Sequence, residues 1–471
     1  MQTRPRLVVI GVMLSIVLAA MESTVVATAM PTVVASLGGI DIYSWVFSAF
    51  LLTSTVAMPL WGRLSDLFGR RPAYLTGLTI FLIGSALSGL SQSMAQLVGF
   101  RALQGLGAGS LITIGMTVIA DLYGLERRAR MQGYFSGMWG GASLVGPLLG
   151  GFLSDHVSWR WAFYVNVPFG AAAIALIGAG LRDVAPRPLR PKIDTPGLML
   201  FTSGVSSLMI GLMLGGRSPS WYALPVVGPI ALAFALLAAF ISVERRAPEP
   251  IMPLTLFRLP LVRAAVATGF LSGMAMFGAI SFVPLFLQRV TNATATGAGF
   301  VLTPFILGWV TCSIVSARLA LRIGYRSLVI AGMISLTTAF FLFSEWDATL
   351  TRASAMGAVL VAGAGMGMTM VPMLIAVQNA VVRTDLGAAT SLTQFFRTIG
   401  GTVGVSVMGA VMAHRLQIGY DVESSLHGVF VVGLVVCVGA LLSAFLVPAG
   451  SARELARPEA AAAPTPRKAG R

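Results

Sequence analysis

The sequence predicts an all-α protein that crosses a lipid bilayer many times. Hydrophobic residues make up 56% of its 471 positions and charged residues only 10%, and the mean hydropathy is +0.85. A soluble globule of this composition would lack the polar surface that it needs. The apolar residues also form long runs, and a helix needs about 20 of them in succession to cross the hydrocarbon core. We therefore expect the lipid bilayer to be a partner of this chain.

Fourteen such runs follow one another along the sequence. The run behind Arg4 and Arg6 could be a secretory signal, but no convincing cleavage site follows it, so we interpret it as the first span. The predicted spans cover residues 7–29, 43–61, 73–91, 96–120, 131–153, 160–181, 196–215, 222–243, 264–288, 297–317, 327–344, 353–378, 390–413 and 426–447.

Basic residues predict the orientation of these spans. If the N-terminus is cytoplasmic, 25 of the 32 Lys and Arg residues lie on the cytoplasmic side, five lie outside and two lie within spans. Basic residues accumulate in cytoplasmic loops, and an odd number of spans would destroy this asymmetry. We therefore expect both termini to be cytoplasmic. The net charge of +15 then reflects topology and indicates no nucleic-acid partner.

Two long links divide the chain. Residues 182–195 and 244–263 are rich in Pro and charged residues, and they bracket the seventh and eighth spans. The sequence ARLALRIGYR at 317–326 is similar to residues 62–71, which predicts a six-helix repeat with substrate between its two copies. The predicted units are a six-helix bundle over 1–181, two inserted helices with their linkers over 182–263, a second six-helix bundle over 264–447 and a disordered tail over 448–471.

Five short motifs lie in order on the predicted spans. They are ESTVVATAMP (22–31), GRLSDLFGRRP (62–72), RALQGLGAG (101–109), GGASLVGPLLGGFL (140–153) and WRWAFYVNVPFG (159–170). With these motifs the chain resembles the major facilitator superfamily, and specifically its fourteen-span drug:proton antiporter family, over nearly its whole length. The resemblance implies two six-helix bundles with two additional spans, and transport by alternating access. Two departures are Glu22, where the family usually has Asp, and the lack of further membrane carboxylates in the second half.

Glu22 is the only carboxylate that we place well within a predicted span. Burial disfavours its charged form, so this residue could gain and lose a proton, although a structural hydrogen bond is the alternative role. Arg101 cannot lose its charge and needs an acceptor such as Glu22, a carbonyl group or substrate. The resemblance implies a role for Arg101 in proton coupling, and the alternative is a side chain that extends to the inner membrane surface.

The motif at 62–72 suggests a contact between the halves. Asp66 can lie against the N-terminus of a neighbouring helix, and Gly62 permits close helix approach. The resemblance implies that Asp66, Arg70 and Asp121 form a charge network that holds the two halves together in the outward-facing state. The alternative is that the arginines of this motif only keep the loop inside, but Asp66 adds nothing to such a signal.

The fifth span is rich in glycine. Small residues at four-residue spacing let helices touch closely, and the resemblance implies an antiporter interface that seals against proton leak. Packing alone is an equally open alternative. The residues concerned are Gly137, Gly141, Gly146, Pro147, Gly150 and Gly151.

Polar and flexible side chains within other spans are candidates for a substrate cavity. Helix–helix hydrogen bonds are the alternative use of the polar ones, and Arg397 could instead extend inwards to the membrane surface. The candidates are Gln104, Asn166, Met274, Gln288, Gln378 and Arg397.

The leading functional prediction is a monomeric, proton-coupled multidrug antiporter in a bacterial inner membrane, which exports hydrophobic or cationic compounds and needs no cofactor beyond the proton gradient. The alternative is an exporter of an endogenous lipid, siderophore or secondary metabolite, which needs fewer membrane carboxylates. An intramembrane enzyme is disfavoured because His156, His414 and His427 show no metal or nucleophile spacing. A transport-inactive receptor would be expected to carry a folded soluble domain, which the sequence does not indicate.

Overall fold

Long helices account for almost all of the described chain. The computed structural model describes residues 3–38, 42, 45–182, 194–215, 222–247, 250–291 and 300–450. The helices are α1 (Pro5–Leu37), α2 (Trp45–Phe68), α3 (Arg70–Leu90), α4 (Met94–Leu122), α5 (Leu125–His156), α6 (Trp161–Gly180, interrupted at Val165), α7 (Thr195–Gly215), α8 (Leu224–Glu244), α9 (Pro260–Arg289), α10 (Thr303–Ile323), α11 (Tyr325–Ser344), α12 (Arg352–Ala380), α13 (Leu386–Gln417) and α14 (Val422–Ala444). Short 3-10 turns at Leu254–Arg258 and Arg383–Asp385 precede α9 and α13.

Within the described ranges, thirteen helices are long and apolar enough to cross a membrane by length and composition. The remaining long helix, α5, has 32 residues, but it is rich in glycine and begins with a charged turn. The prediction of an all-helical membrane protein is therefore confirmed, while the count of fourteen spans stays a prediction. The tail from residue 451 and the link at 183–193 lie outside the described residues.

Several helix boundaries differ from the predicted spans. The first helix runs from Pro5 to Leu37, beyond the predicted 7–29, because a helix continues through its own hydrogen bonds after the apolar run meets its minimum length. The tenth helix, α10, runs from Thr303 to Ile323, and its predicted start at 297 lies outside the described residues. Proline stands at the second position of that helix, where its fixed φ and missing N–H suit a helix start.

The first six helices and the last six pack in the same pattern. In the first set, α1 packs against α5 and α6, α2 against α4, and α3 against α4 and α6. In the last set, α9 packs against α13 and α14, α10 against α12, and α11 against α12 and α14. The two sets meet where α2 contacts α13 and where α5 contacts α10. This arrangement is typical of a six-helix internal repeat.

The link between the second and third helices of each set has the same backbone shape. Gly69 has φ 96° and Gly324 has φ 81°, both in the left-handed region that favours glycine. Arg70 follows the first glycine and begins α3, and Tyr325 follows the second and begins α11. The sequence similarity between residues 62–71 and 317–326 therefore has a structural counterpart.

The helices α7 and α8 pack against each other, and α7 also contacts α2 and α13. Phe201 of α7 lies 5.3 Å, between ring centres, from both Phe240 of α8 and Phe395 of α13. The pair therefore covers one seam between the two six-helix sets. Only 17% of the apolar segment of α8 is buried, against 72% for α4 and α12, so α8 is suited to face lipid.

Both ends of the described chain lie at one end of the helix array, which we call the terminal face. The amide of Arg4 donates to the carbonyl of Gly180 at 2.9 Å, which joins the start of α1 to the end of α6. The carbonyl of Gly450 packs beside Gly324 at the link between α10 and α11. Its cytoplasmic location remains a prediction.

Candidate functional site

A buried ion pair lies inside the first six-helix set. Glu22 of α1 and Arg101 of α4 form a salt bridge between Oε1 and Nη1, and each residue is 1% exposed. Arg101 Nε also donates to the carbonyl of Val46 at 3.2 Å, and the guanidinium lies 4.1 Å from the centre of the Phe50 ring. Of the acceptors considered for Arg101 from the sequence, the carboxylate and a carbonyl are therefore both present.

Two residues that we predicted to line a substrate cavity belong to this cluster. Asn166 of α6 donates from Nδ2 to Glu22 Oε2 at 2.6 Å and lies 2.9 Å from Ser85 Oγ of α3. Gln104 Oε1 accepts from Arg101 Nη1 at 2.8 Å, while its Nε2 is buried without a partner among the described residues. The cluster ties five helices together, α1, α2, α3, α4 and α6. A contact of Asn166 or Gln104 with substrate remains a prediction.

A proton on Glu22 would change the charge balance of this cluster. In this arrangement Glu22 supplies the charge that balances Arg101, and both are enclosed by protein. Protonation of Glu22 would leave Arg101 with a carbonyl, an amide oxygen and aromatic rings as partners. Because a buried cation without a counter-charge is strongly disfavoured, proton binding would favour a rearrangement of α1 against α4.

A second charge network joins the two sets at the terminal face. Asp66 is buried in the last turn of α2 and accepts backbone N–H groups of Gly387 at 3.1 Å and Ala388 at 2.9 Å. These amides belong to the first turn of α13, where unsatisfied N–H groups and the helix dipole favour an anion. Arg70 pairs with Asp66, and its Nε donates to Asp121 Oδ2 at 2.9 Å. The structure thus brings together the three charged residues of the predicted latch.

Arg383 extends this network and was missed by the sequence analysis. Its Nε donates to Asp121 Oδ1 at 3.0 Å, and its carbonyl accepts from Arg70 Nη2 at 3.4 Å. Arg383 precedes α13, so the second set contributes a side chain as well as backbone amides. In the sequence it was counted only as one more basic residue of a link, and nothing local indicated a partner 262 positions away.

Gly62 lies at the closest contact between α2 and α13. A methyl group at this position would overlap Ser391 and would come within 2.7 Å of the Gly387 carbonyl. Gly387 is packed equally tightly, because a methyl group added at this position would lie 2.5 Å from the Gly62 carbonyl. The glycine of the latch prediction therefore sets how closely Asp66 can approach the start of α13.

A counterpart of the latch, without carboxylates, connects the sets at a second place. Arg128 of α5 donates from Nη1 to Asn379 Oδ1 at 2.8 Å, and Asn379 Nδ2 donates to the Tyr325 hydroxyl at 2.8 Å. Asn379 and Tyr325 stand at the positions of the second set that Asp121 and Arg70 hold in the first. Nothing in the sequence grouped these three residues, although the similarity of the two links pointed to Tyr325.

Part of the glycine motif of α5 mediates contact with α1. A methyl group at Gly146 would overlap Thr24, and one at Gly150 would overlap Thr28 and lie 2.6 Å from the Val25 carbonyl. These two glycines therefore let the helix that carries Glu22 lie directly on α5.

The other members of that motif have looser surroundings. No atom of the described residues lies within 4 Å of a methyl group placed at Gly141 or Gly151, and one at Gly137 would meet only Val310 at 3.8 Å. The side chain of Pro147 lies outside the described part. Among these five glycines, close helix contact is therefore present at Gly146 and Gly150, and a looser contact with α10 at Gly137.

The cavity candidates in the second set have different surroundings. Met274 is buried and its backbone packs against Gly404 of α13. Gln378 Nε2 donates to Thr390 Oγ1 at 3.2 Å, which is the helix–helix role considered as its alternative. Gln288 is exposed in the last turn of α9.

Arg397 of α13 is the remaining cavity candidate, and its side chain contacts α12. Its Nη1 contacts Met370 Sδ of α12 at 3.4 Å, and its Nε is buried without a partner among the described residues. One turn earlier, Gln394 Nε2 contacts Met116 Sδ of α4 at 3.4 Å, across the interface. Arg397 therefore faces the region between α4, α12 and α13, with no carboxylate of the described chain paired to it.

Comparison with known proteins agrees with this architecture. A family model described as the Major Facilitator Superfamily matches residues 12–405. The chain is 37% identical over 415 residues to the multidrug transporter protein MdtP of Bacillus subtilis. The aligned region covers 88% of this chain and 76% of that protein. It is 32% identical over 413 residues to the acurin A biosynthesis cluster MFS-type transporter of Aspergillus aculeatus, with coverage of 86% and 74%.

A solved structure supports the fold. The crystal structure of the human organic anion transporter MFSD10 has a TM-score of 0.69 and covers 94% of this chain and 99% of that one. Because the two sequences are only 19% identical, this similarity supports the fold alone.

Proposed function

The chain belongs to the major facilitator superfamily, and from this premise we propose that it is a proton-coupled exporter of small hydrophobic molecules. The described helices and the relatives make it a multi-pass membrane protein of a transporter family. We further propose that it has fourteen spans and cytoplasmic termini and lies in a bacterial inner membrane. An inward proton gradient would be its energy source.

The observation that carries the proposal is the buried pair of Glu22 and Arg101. Ionisable groups inside a membrane protein usually serve a pathway or a proton relay, and this pair lies in the helix set that the resemblance associates with coupling. In the proposed cycle, Glu22 takes a proton from the outer side, releases Arg101 and permits the halves to rearrange. The proton then leaves to the cytoplasm as the next substrate binds.

The networks at the terminal face supply the other half of the cycle. Asp66, Arg70, Asp121 and Arg383 join the sets on one side, and Arg128 with the end of α12 joins them on the other. We propose that both networks break when the cytoplasmic side opens to receive substrate. Hydrogen bonds between the sets suit this role because they can form again without a lasting change.

Transport in proteoliposomes tests the proposal. The purified full chain is reconstituted, a pH gradient is imposed, and the movement of neutral and charged fluorescent dyes is followed. We expect gradient-driven movement of at least one hydrophobic dye, abolished by a protonophore and by Glu22→Gln. Glu345→Gln is the matched control, because Glu345 is exposed at the end of α11. Full gradient-driven transport by Glu22→Gln would refute the assignment of the coupling residue.

Export of an endogenous metabolite is the second candidate function. The acurin A cluster relative, by its name, belongs to a biosynthetic cluster, and this chain offers few membrane carboxylates for cationic drugs. Deletion of the gene in its host separates the candidates. Accumulation of one internal metabolite without altered drug sensitivity would favour this function over multidrug export.

A further inference from the structure

Arg397 lies deep within the helix array. It follows Leu386, the first residue of α13, by eleven positions, which places its Cα about 16 Å along the helix. Its side chain ends at Met370, which lies ten positions before the end of α12 and therefore about 15 Å from that end. Since a hydrocarbon core is about 30 Å thick, both residues lie well away from the terminal face. The side chain does not extend inwards to the membrane surface, which was one of its expected roles.

The polar contacts of Arg397 leave most of its hydrogen-bonding capacity unused. The described residues give its guanidinium one contact, a weakly accepting thioether, and leave Nε without a partner. By contrast, the guanidinium of Arg101 contacts a carboxylate, an amide oxygen, a backbone carbonyl and an aromatic ring. Two arginines at membrane depth therefore differ sharply, since one is fully paired inside its helix set and the other faces the region between the sets.

The charges within the array favour a particular class of substrate. Glu22, the carboxylate at membrane depth among the described residues, is committed to Arg101 and is 1% exposed. A cationic substrate between the sets would meet Arg397 without a free carboxylate to balance it. An anionic substrate would instead supply the acceptor that Arg397 lacks, because a guanidinium binds a carboxylate through two parallel hydrogen bonds.

We propose that Arg397 is the subsite for the acidic group of an amphipathic substrate, so that this protein exports organic acids rather than cations. The apolar part of such a molecule would lie against the thioethers of Met370 and Met116, which adapt to irregular shapes. This inference rests on the proposed transport function and names its substrate class. It replaces the cationic compounds that the sequence alone led us to expect.

The same chemistry could come from a soluble acid or from the phosphate of an anionic phospholipid. Binding of a matched set of naphthyl compounds to the purified full chain distinguishes these sources. The set contains 2-naphthylacetate, the neutral 2-naphthylacetamide and the cationic 2-(2-naphthyl)ethylamine. Each is titrated into protein in nanodiscs of phosphatidylcholine alone, and then into nanodiscs that also contain phosphatidylglycerol.

Three variants accompany the wild-type protein. Arg397→Gln removes the charge at similar length, and Arg397→Lys retains the charge without the guanidinium fork. Arg322→Gln is the control, because Arg322 is an exposed arginine at the end of α10. Thermal unfolding of each variant without added compound shows whether it is folded, and Arg397→Lys keeps the test valid if Arg397→Gln is unstable.

We expect the wild type to bind the carboxylate at least tenfold more tightly than the amide or the amine. Arg397→Gln should abolish that preference, Arg397→Lys should retain part of it, and Arg322→Gln should leave it unchanged. If phosphatidylglycerol weakens carboxylate binding only when Arg397 is present, the lipid competes for the same subsite. Equal binding of the three compounds, failure to bind any of them, or an unchanged preference in a folded Arg397→Gln protein would overturn the subsite. The proposed function is judged separately, by gradient-driven transport of neutral dyes.

Discussion

Replacement of Asp66 by Asn isolates the charge in the network at the terminal face. Asp66 accepts two backbone N–H groups from the first turn of α13, at 3.1 and 2.9 Å, and pairs with Arg70. Asparagine has nearly the same size, but it offers one carbonyl oxygen in place of two and carries no charge. The substitution therefore weakens contacts that exist only while α2 and α13 are together.

The expected magnitude follows from these contacts. A hydrogen bond to a charged group contributes about 1.5–3 kcal/mol, roughly twice the value for a neutral one. A buried anion at a helix N-terminus gains up to about 2 kcal/mol more from the dipole. Loss of one hydrogen bond and of the charge should therefore destabilise the closed terminal face by about 2–4 kcal/mol. Because each 1.4 kcal/mol is a factor of ten, the ratio of open to closed protein should rise roughly 30- to 700-fold.

Distance measurements between spin labels report this ratio directly. Labels are placed at Thr76 of α3 and Arg322 of α10, which are exposed and belong to different six-helix sets. The two native cysteines, Cys312 and Cys437, are first replaced by alanine. We expect a single short distance in the unsubstituted protein and a second, longer distance as a major population after Asp66→Asn.

Asp347→Asn serves as the control for this measurement. Asp347 is exposed after α11, and its carboxylate accepts hydrogen bonds from Thr349. An unchanged distance distribution in Asp66→Asn would refute the reasoning, because the carboxylate would then contribute nothing specific to the closed state. The same longer population in Asp347→Asn would also refute it.

Three further predictions concern other contacts. Arg128→Gln should weaken the second connection between the sets by about 1–3 kcal/mol. Combined with Asp66→Asn, it should raise the population of the longer spin-label distance further. A lower stability to unfolding with no change in that population would contradict this prediction. Gly62→Ala should also populate the open state. Gly99→Ala should not, because nothing lies within 4 Å of a methyl group added at Gly99. Equal behaviour of the two variants would argue against steric overlap at Gly62 as the cause. Glu22→Ala should lower the free energy of unfolding by about 3–5 kcal/mol, because it leaves Arg101 buried without its partner. The double variant Glu22→Gln with Arg101→Gln should recover much of that loss. Absence of any recovery would show that the two residues are not coupled.

The architecture was largely predictable because hydrophobic runs and the positions of basic residues are local properties of the sequence. The contacts of the latch were predictable only in part. The sequence placed Asp66 near some helix N-terminus, but it did not identify α13, because that contact joins residues 321 and 322 positions apart. The resemblance grouped Asp66 with Arg70 and Asp121, and the structure places the three side chains in one network.

Other parts of the site carried no local signal. Arg128 resembled any basic residue of a link, and its partner is 251 positions away. Asn166 and Gln104 were interpreted as cavity residues because polarity in a span marks either a cavity or a helix contact. Only the packing of α1, α4 and α6 places both at the Glu22–Arg101 pair. The different surroundings of Arg101 and Arg397 are likewise a property of the assembled helices, since both are single arginines in apolar runs.

In the proposed cycle Glu22 gives up its proton when substrate binds. Proton release can be followed with a pH indicator when a transported compound is added to the purified protein in a weakly buffered detergent solution. We expect a saturable release by the wild-type protein and by Glu345→Gln, and none by a Glu22→Gln protein that still binds the compound. The same release from Glu22→Gln would show that another group carries the proton and that Glu22 is not the coupling residue.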